Sequence, residues 1–282
     1  MPDDFDRSSH GLRPVRIEAF NGLLFGCFDA DAPSLFDYLG PEIRPYIERV
    51  LNRPVRVIGE NVQKLPCNWK LYVENVRDSY HASILHTFFT TFRLNRLNQT
   101  GEIVVNERGG SHVSYSKVEP ERDNSDYERD GVRSHRDDYG LEDASVIDSV
   151  DEFGDGIGLQ ILSVFPNFVL QQVRNSIALR QVVPTGPHTA DLVWTHLGFA
   201  DDDETMARRR LRQANLVGPA GYVSMEDGAV GGFVQRAIRG VEEDAGVVRM
   251  GGDEARSSTS RVTEASVRGF WKQYRALMDA PA

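Results

Sequence analysis

Four segments decide the fold: Ile161-Leu162-Ser163-Val164-Phe165, Phe168-Val169-Leu170-Gln171-Gln172-Val173, the run 177–183, and Ala190-Asp191-Leu192-Val193-Trp194-Thr195-His196-Leu197-Gly198-Phe199. Each is short and rich in branched and aromatic residues. Pro166-Asn167 and Pro184-Thr185-Gly186 separate them with turn chemistry. Four strands in sequence with tight connections predict an antiparallel meander. Further strands are predicted upstream over 55–60, 103–106 and 112–118, the last two joined through Gly109-Gly110.

Helices are predicted on both sides of this run. Leu35, Phe36, Leu39, Ile43, Tyr46, Ile47 and Val50 recur at helical spacing, with Gly40-Pro41 and Pro45 expected to break or kink the helix. Residues 68–86 read as largely helical. Residues 201–215 begin acidic and continue with arginines, which suits the helix dipole. Another helix is expected after Asp227. An amphipathic one from residue 263 carries Val267, Phe270, Trp271, Tyr274, Leu277 and Met278 on one stripe. Strands in a run flanked by helices give an α+β fold, one curved antiparallel sheet packed with helices.

Two stretches stand apart. Residues 15–20 and 23–28 read as a hairpin about Asn21-Gly22, and two strands alone do not make a stable unit. Residues 119–156 lose apolar periodicity and mix charges with Gly, Ser and Asn. They are expected to be a polar surface excursion, with a lid over a pocket as the alternative.

The chain of 282 residues can bury a large core, and its net charge of -10 argues against nucleic acid or an anionic membrane as partner. No apolar run reaches the length of a membrane span, and the acidic start lacks a signal region, so cytoplasm is the expected compartment. Cys27 and Cys67 stand far apart outside any Cys-x-x-Cys pairing and are expected to be reduced.

The chemistry concentrates in Asp78-Ser79-Tyr80-His81-Ala82-Ser83-Ile84-Leu85-His86. Two of the chain's seven histidines lie here, just after a carboxylate. Imidazole is a preferred ligand for iron and related metals, and two of them need one carboxylate to complete a facial triad. A regular helix would set His81 and His86 roughly 140° apart, so metal binding requires an irregular turn or a helix end between them. Asp78 would neighbour His81 on a helix and suits a partner to its ring N–H. The competing reading is two separate core histidines with a surface aspartate. A third ligand is sought in 218–228, where Glu226-Asp227 stands among glycines and apolar residues, and where an ordinary helix cap is the plainer alternative.

Weaker signals are set aside. Gly154-Asp155-Gly156-Ile157-Gly158 precedes a strand rather than a helix, so a dinucleotide fingerprint is not expected. Arg208-Arg209-Arg210-Leu211-Arg212 reads as a solvated helix face offset by 201–204. His196 reads as a core histidine.

Together, Asn68-Trp69-Lys70, Glu74-Asn75, Asp78-x-Tyr80-His81 and His86 resemble the large (alpha) subunit of Rieske-type aromatic ring-hydroxylating oxygenases. The resemblance continues through Val164-Phe165-Pro166-Asn167, residues 218–228 and Val267-Arg268-Gly269-Phe270-Trp271, and covers the chain from Leu12 onward. It implies a helix-grip-like catalytic domain over 33–282. It also implies a mononuclear non-haem Fe(2+) held by His81, His86 and Asp227. Asp78 would bridge to the electron-delivering [2Fe-2S] cluster of a neighbouring subunit, and Asn75 would sit near the iron. Residues 159–165 and 217–223 are expected pocket walls.

The implied activity is oxygen insertion from O2 into an aromatic ring. The wording of 171–175 and 224–227 points to aromatic carboxylic acids such as salicylate, anthranilate or terephthalate. The implied partners are a ferredoxin or reductase donor, a small beta subunit and a homotrimeric alpha assembly. One departure stands out. The cluster needs Cys-x-His and Cys-x-x-His pairs, and neither Cys27 nor Cys67 provides one, so no cluster-binding residue is assigned. Residues 1–32 are expected to be the last strands of a truncated Rieske domain, which leaves independent activity open. The alternatives are a redox-dead, ligand-binding remnant that retains the pocket without turnover, and a zinc hydrolase, for which a His-Glu-x-x-His arrangement is missing.

Overall fold

The computed structural model describes residues 5–118, 129–131, 140–241 and 245–279. Strands β3 (Val55–Leu65), β4 (Gly101–Val105), β5 (His112–Lys117), β6 (Ile157–Val164), β7 (Phe168–Val173), β8 (Ser176–Gly186) and β9 (Thr189–Phe199) form one antiparallel sheet. Its order is β3-β9-β8-β7-β6-β5-β4, so the expected meander forms its centre and β3 closes on β9.

Strand alternation divides the labour between the two faces. Val113, Leu162, Leu170 and Leu179 form a row in register across β5 to β8. All four belong to the core cluster that receives helix α1 (Leu35–Val50). Leu39, Ile43, Ile47 and Val50 of α1 are fully buried, each contributing roughly 1.5–3 kcal/mol of transfer free energy. The alternate row, Ser114, Ile161, Gln171 and Ala178, faces the other way, with Arg180 two residues along β8 on the same side. That second face carries the site.

Only Gly40, at φ 71°, leaves helical geometry within α1. Pro41 then opens the second segment, where its missing N–H costs nothing. Pro45 is a correction to the sequence expectation. It stays within the helix, forgoing only its own bond to the Pro41 carbonyl, because the buried stripe on either side holds the helix in place.

The hairpin β1 (Arg16–Phe20) and β2 (Leu23–Cys27) forms a separate two-stranded sheet. It joins the body by side chains rather than by strand pairing. Leu23 is buried with α1, the Phe25 ring lies 5.4 Å from that of Phe168, and Arg16 donates to the Ala32 and Pro33 carbonyls.

Within the predicted excursion, 119–128 and 132–139 lie outside the described residues. Residues 148–156 are clasped to the body rather than standing free. Asp148 pairs with Arg209, Glu152 with Arg210 and Arg53, and Asp155 with Arg49. This also corrects the reading of the arginine run. On helix α4 (Glu204–Val217), Arg208 pairs with Glu204 on an exposed face as expected, but Arg210 is buried between Asp202 and Glu152. The C-terminal helix α6 (Ala265–Met278) buries Val267 and Phe270, yet Leu277 and Met278 are exposed, so the apolar stripe outruns the core. Cys27 and Cys67 are free thiols. Among the described residues no helix is long and apolar enough to cross a membrane.

Candidate metal centre

Residues 68–86 are not one helix. Helix α2 (Trp69–Arg77) is capped at its start by Asn68, whose side chain accepts from Lys70 N, and it buries Tyr72, Val73 and Val76. It stops at Asp78, whose ψ of 99° is extended. The Asp78 carboxylate accepts from the backbone N–H groups of Tyr80 and His81, each at 3.1 Å, which turns the chain out of the helix. His81 then begins a short 3-10 turn, and His86 lies just before helix α3 (Thr87–Thr91) with a non-helical ψ of 81°. With the helix ended between Arg77 and His81, the angular obstacle to pairing the histidines disappears.

Asp227 is not a helix cap. Helix α5 (Tyr222–Ala237) begins after Gly221, so Asp227 lies within its second turn and is 5% exposed. The glycines that follow let α5 approach closely. A Cβ on Gly228 would stand 2.8 Å from Gln63 Nε2, and one on Gly232 would stand 2.9 Å from Pro66 Cγ. Without side chains there, α5 packs against β3 and α2 and carries Asp227 inward.

The three groups converge. Asp227 Oδ1 lies 3.4 Å from His81 Nε2 and 3.2 Å from His86 Nε2. Ligand atoms of His81, His86 and Asp227 all lie within 4.8 Å of one another. The outer ring nitrogens are engaged elsewhere. His81 Nδ1 donates to the Asp78 backbone carbonyl at 2.6 Å, and His86 Nδ1 meets a Glu226 carboxylate oxygen at 2.7 Å. Both Nε2 atoms are therefore the ones presented to Asp227, the orientation a metal ligand needs.

Burial alone would lower the His81 pKa, but the neighbouring carboxylates of Asp227 and Asp78 outweigh it and push it up to about 10. Burial would raise Asp227, yet hydrogen bonds from His81 and His86 hold it well below the usual carboxylate range. The pocket thus favours positive charge between these groups. Two imidazole nitrogens and one carboxylate oxygen gathered beside an open cavity fit a facial divalent-metal site.

Asn75 donates to Asp227 Oδ1 at 3.1 Å and lies 3.5 Å from His81 Nε2, so it touches the triad. Asp78 sits at the rim. Its carboxylate is 3.8 Å from His81 Nδ1, and it is the backbone carbonyl rather than the carboxylate that takes the ring N–H, which corrects the expected partnership.

A cavity opens over the triad. Its apolar walls include Leu159, Ile161, Val217 and Val223 from the two expected segments, together with Phe89 and Val173. Its polar lining includes Gln171, from the stretch read for the substrate class, and Asn95, Ser114, Arg180 and Arg261, which the sequence reading did not single out. Arg180 had one available signal, a lone charge on the buried phase of Ile177-Ala178-Leu179-Arg180. It donates to the Tyr72 hydroxyl at 3.0 Å and lies over the Trp194 ring, and it forms no ion pair among the described residues. Arg261 is held by Asn95 Oδ1 at 2.8 Å and by the Arg96 carbonyl. His196 does not line the cavity. It is a core residue stacked on Trp194, with Nε2 against Asn61 Oδ1 at 3.2 Å.

Comparison with known proteins finds relatives along nearly the whole chain. The family model for the ring hydroxylating alpha subunit (catalytic domain) matches residues 46–280. The terminal oxygenase component subunit alpha 2 of terephthalate 1,2-dioxygenase from Comamonas sp is 56% identical over 278 residues, covering 99% of this chain and 67% of that one. The anthranilate 1,2-dioxygenase large subunit from Burkholderia cepacia is 38% identical over 279 residues, covering 99% and 66%. The chain therefore spans about two thirds of the length of these relatives. Among solved structures, naphthalene 1,2-dioxygenase from Rhodococcus sp. bound to indole shares the fold at a TM-score of 0.74 and 21% identity, over 99% of this chain and 70% of that one. The chain belongs to the ring-hydroxylating alpha-subunit family, over its catalytic domain.

Proposed function

We propose that this chain is the mononuclear-iron catalytic domain of an oxygenase that inserts oxygen from O2 into an aromatic dicarboxylate of the terephthalate type. The carrying observation is the convergence of His81, His86 and Asp227 beneath a cavity that also holds Arg180 and Arg261. Iron(II) bound there would supply dioxygen activation, with electrons from a Rieske [2Fe-2S] cluster whose ligands these 282 residues do not include.

The chain's own residues do the rest. Leu159, Ile161, Val173 and Phe89 exclude water and hold the ring. Arg180, on β8, gives the cavity a cation for a substrate carboxylate. Arginine suits this task because its planar fork pairs with a carboxylate through two hydrogen bonds. The terephthalate dioxygenase subunit, 56% identical, supports this substrate class over a hydrocarbon. Asp78, at the rim beside His81, would bridge to the electron-delivering cluster of a neighbouring subunit, and Asn75, which donates to Asp227, would orient it near the iron. A ferredoxin and reductase, a small beta subunit and a trimeric arrangement of alpha subunits are the partners this reading expects.

The test is direct. Chain loaded anaerobically with Fe(II) should bind one iron and, with a Rieske partner and reductase, consume O2 only when terephthalate is present. Benzoate, with one carboxylate, should bind more weakly. Stoichiometric zinc with activity in the absence of O2 would overturn the proposal.

A further inference from the structure

Resting on the reading of His81, His86 and Asp227 as metal ligands, we propose that Glu226 is a positioning residue that sets the metal affinity of this centre through His86. The two histidines are held differently. His81 is fixed locally by the carbonyl of Asp78, three residues away in the chain. His86 has no such local partner. It precedes the short helix α3 without a side-chain capping bond, and its Nδ1 is held by Glu226, 140 residues away in sequence.

Glu226 and Asp227 are consecutive on α5, and consecutive helical side chains diverge by about 100°. Both still reach the same imidazole, Glu226 Oε2 at Nδ1 (2.7 Å) and Asp227 Oδ1 at Nε2 (3.2 Å). The ring is gripped along its length between two carboxylates of one helix turn. Glu226 lies outside the group of potential ligands, so its action passes through the ring. A carboxylate on the outer N–H fixes the tautomer and makes the facing nitrogen a stronger donor. The neighbouring acidic pair thus has two separate tasks: Asp227 faces the ion, and Glu226 aims the histidine at it.

The side chain of Glu226 is 31% exposed, while that of His86 is 2% exposed, so Glu226 can be changed without opening a core cavity. Co(II) titration of the metal-free full chain, in competition with a chelator, reads the affinity. Glu226→Ala should weaken Co(II) binding by about 10–100-fold. Glu226→Gln, whose amide oxygen accepts the same N–H without the charge, should recover most of this, ending roughly 3–10-fold below wild type. Metal-free melting curves separate lost affinity from lost folding, and the near-isosteric Gln variant decides the matter if the Ala variant melts early. An Ala variant within twofold of wild type, or a Gln variant no better than a well-folded Ala variant, overturns the role of Glu226. If His86→Ala binds Co(II) as tightly as wild type, the ligand reading falls and takes this inference with it.

Discussion

Arg180 donates from Nη1 to the hydroxyl of Tyr72 at 3.0 Å, inside the wall of the cavity that covers His81, His86 and Asp227. Tyr72 is 1% exposed, and burial first, then Asp227, pushes its pKa up to about 12 against the lowering effect of Arg180, so its hydroxyl stays neutral. A neutral hydroxyl can accept from the guanidinium without consuming its charge. Replacing it therefore loosens the cation but leaves it in place. Tyr72→Phe should weaken terephthalate binding by about 0.5–1.5 kcal/mol, roughly 2–12-fold in Kd. Arg180→Gln removes the charge itself and should cost roughly 2–5 kcal/mol. Calorimetric titration of both variants checks the order, and unchanged binding in Tyr72→Phe would remove Tyr72 from the role of orienting Arg180.

Metal binding should be visible as stability. An ion that binds only the folded chain adds about 2.7 kcal/mol at a hundred times its Kd. For a chain of this size each kcal/mol shifts Tm by about 2–4 °C, so Co(II) should raise it by roughly 5–10 °C. His81→Ala and Asp227→Asn should each flatten this response, because each removes one of three ligands that meet within 4.8 Å. A full metal-dependent shift in both variants would place the ion elsewhere.

The meander was legible in the sequence because strand alternation and turn residues agree with each other there: Phe168, Leu170 and Gln172 alternate with Val169, Gln171 and Val173 between Asn167 and Asn175. The candidate metal site was only half legible. His81 and His86 stood out by type and proximity, but their convergence depends on Asp78 ending α2 with its own carboxylate, a contact that spacing does not display. Asp227 looked like a cap because Asp favours caps, and only the start of α5 at Tyr222 shows it as an inward second-turn residue. Arg261 lies next to an exposed stretch and reaches the cavity through Asn95, a residue distant in sequence. Such a contact exists only after folding.

His112 predicts a pH effect. It is fully buried in β5, and burial followed by the charge of Arg77 drives its pKa well below 6.5. Arg77 Nη1 donates to His112 Nδ1 at 2.9 Å, which requires a ring unprotonated at that nitrogen. Below about pH 6.5 the unfolded chain takes up a proton here that the folded chain refuses, so stability must fall as the medium is acidified. One such proton corresponds to about 1.4 kcal/mol per pH unit within that window. His112→Gln retains an acceptor for Arg77 and does not titrate. Denaturant unfolding between pH 6.5 and 5 should show a shallower acid slope in this variant, and an unchanged slope would mean that the folded chain accommodates the proton.

The strongest single structural cost should fall on Arg210, far from the chemistry. Its side chain is fully buried, as are most of its partners' surfaces, with Asp202 at 2% and Glu152 at 5% exposed. Nε and Nη2 engage both oxygens of Asp202, while Nη1 reaches Glu152 and the Asn175 carbonyl. Arg210→Met fills similar space but leaves two carboxylates buried beside the α4–β8 contact, Asp202 without its cation and Glu152 with Arg53 alone. Removing one partner of a buried ion pair typically costs about 3–5 kcal/mol, because the surviving charge is stranded. Adding Asp202→Asn and Glu152→Gln removes those stranded charges. The triple variant should therefore be more stable than Arg210→Met alone in chemical denaturation, and a triple variant that loses further stability would show that Arg210 acts by packing rather than by charge.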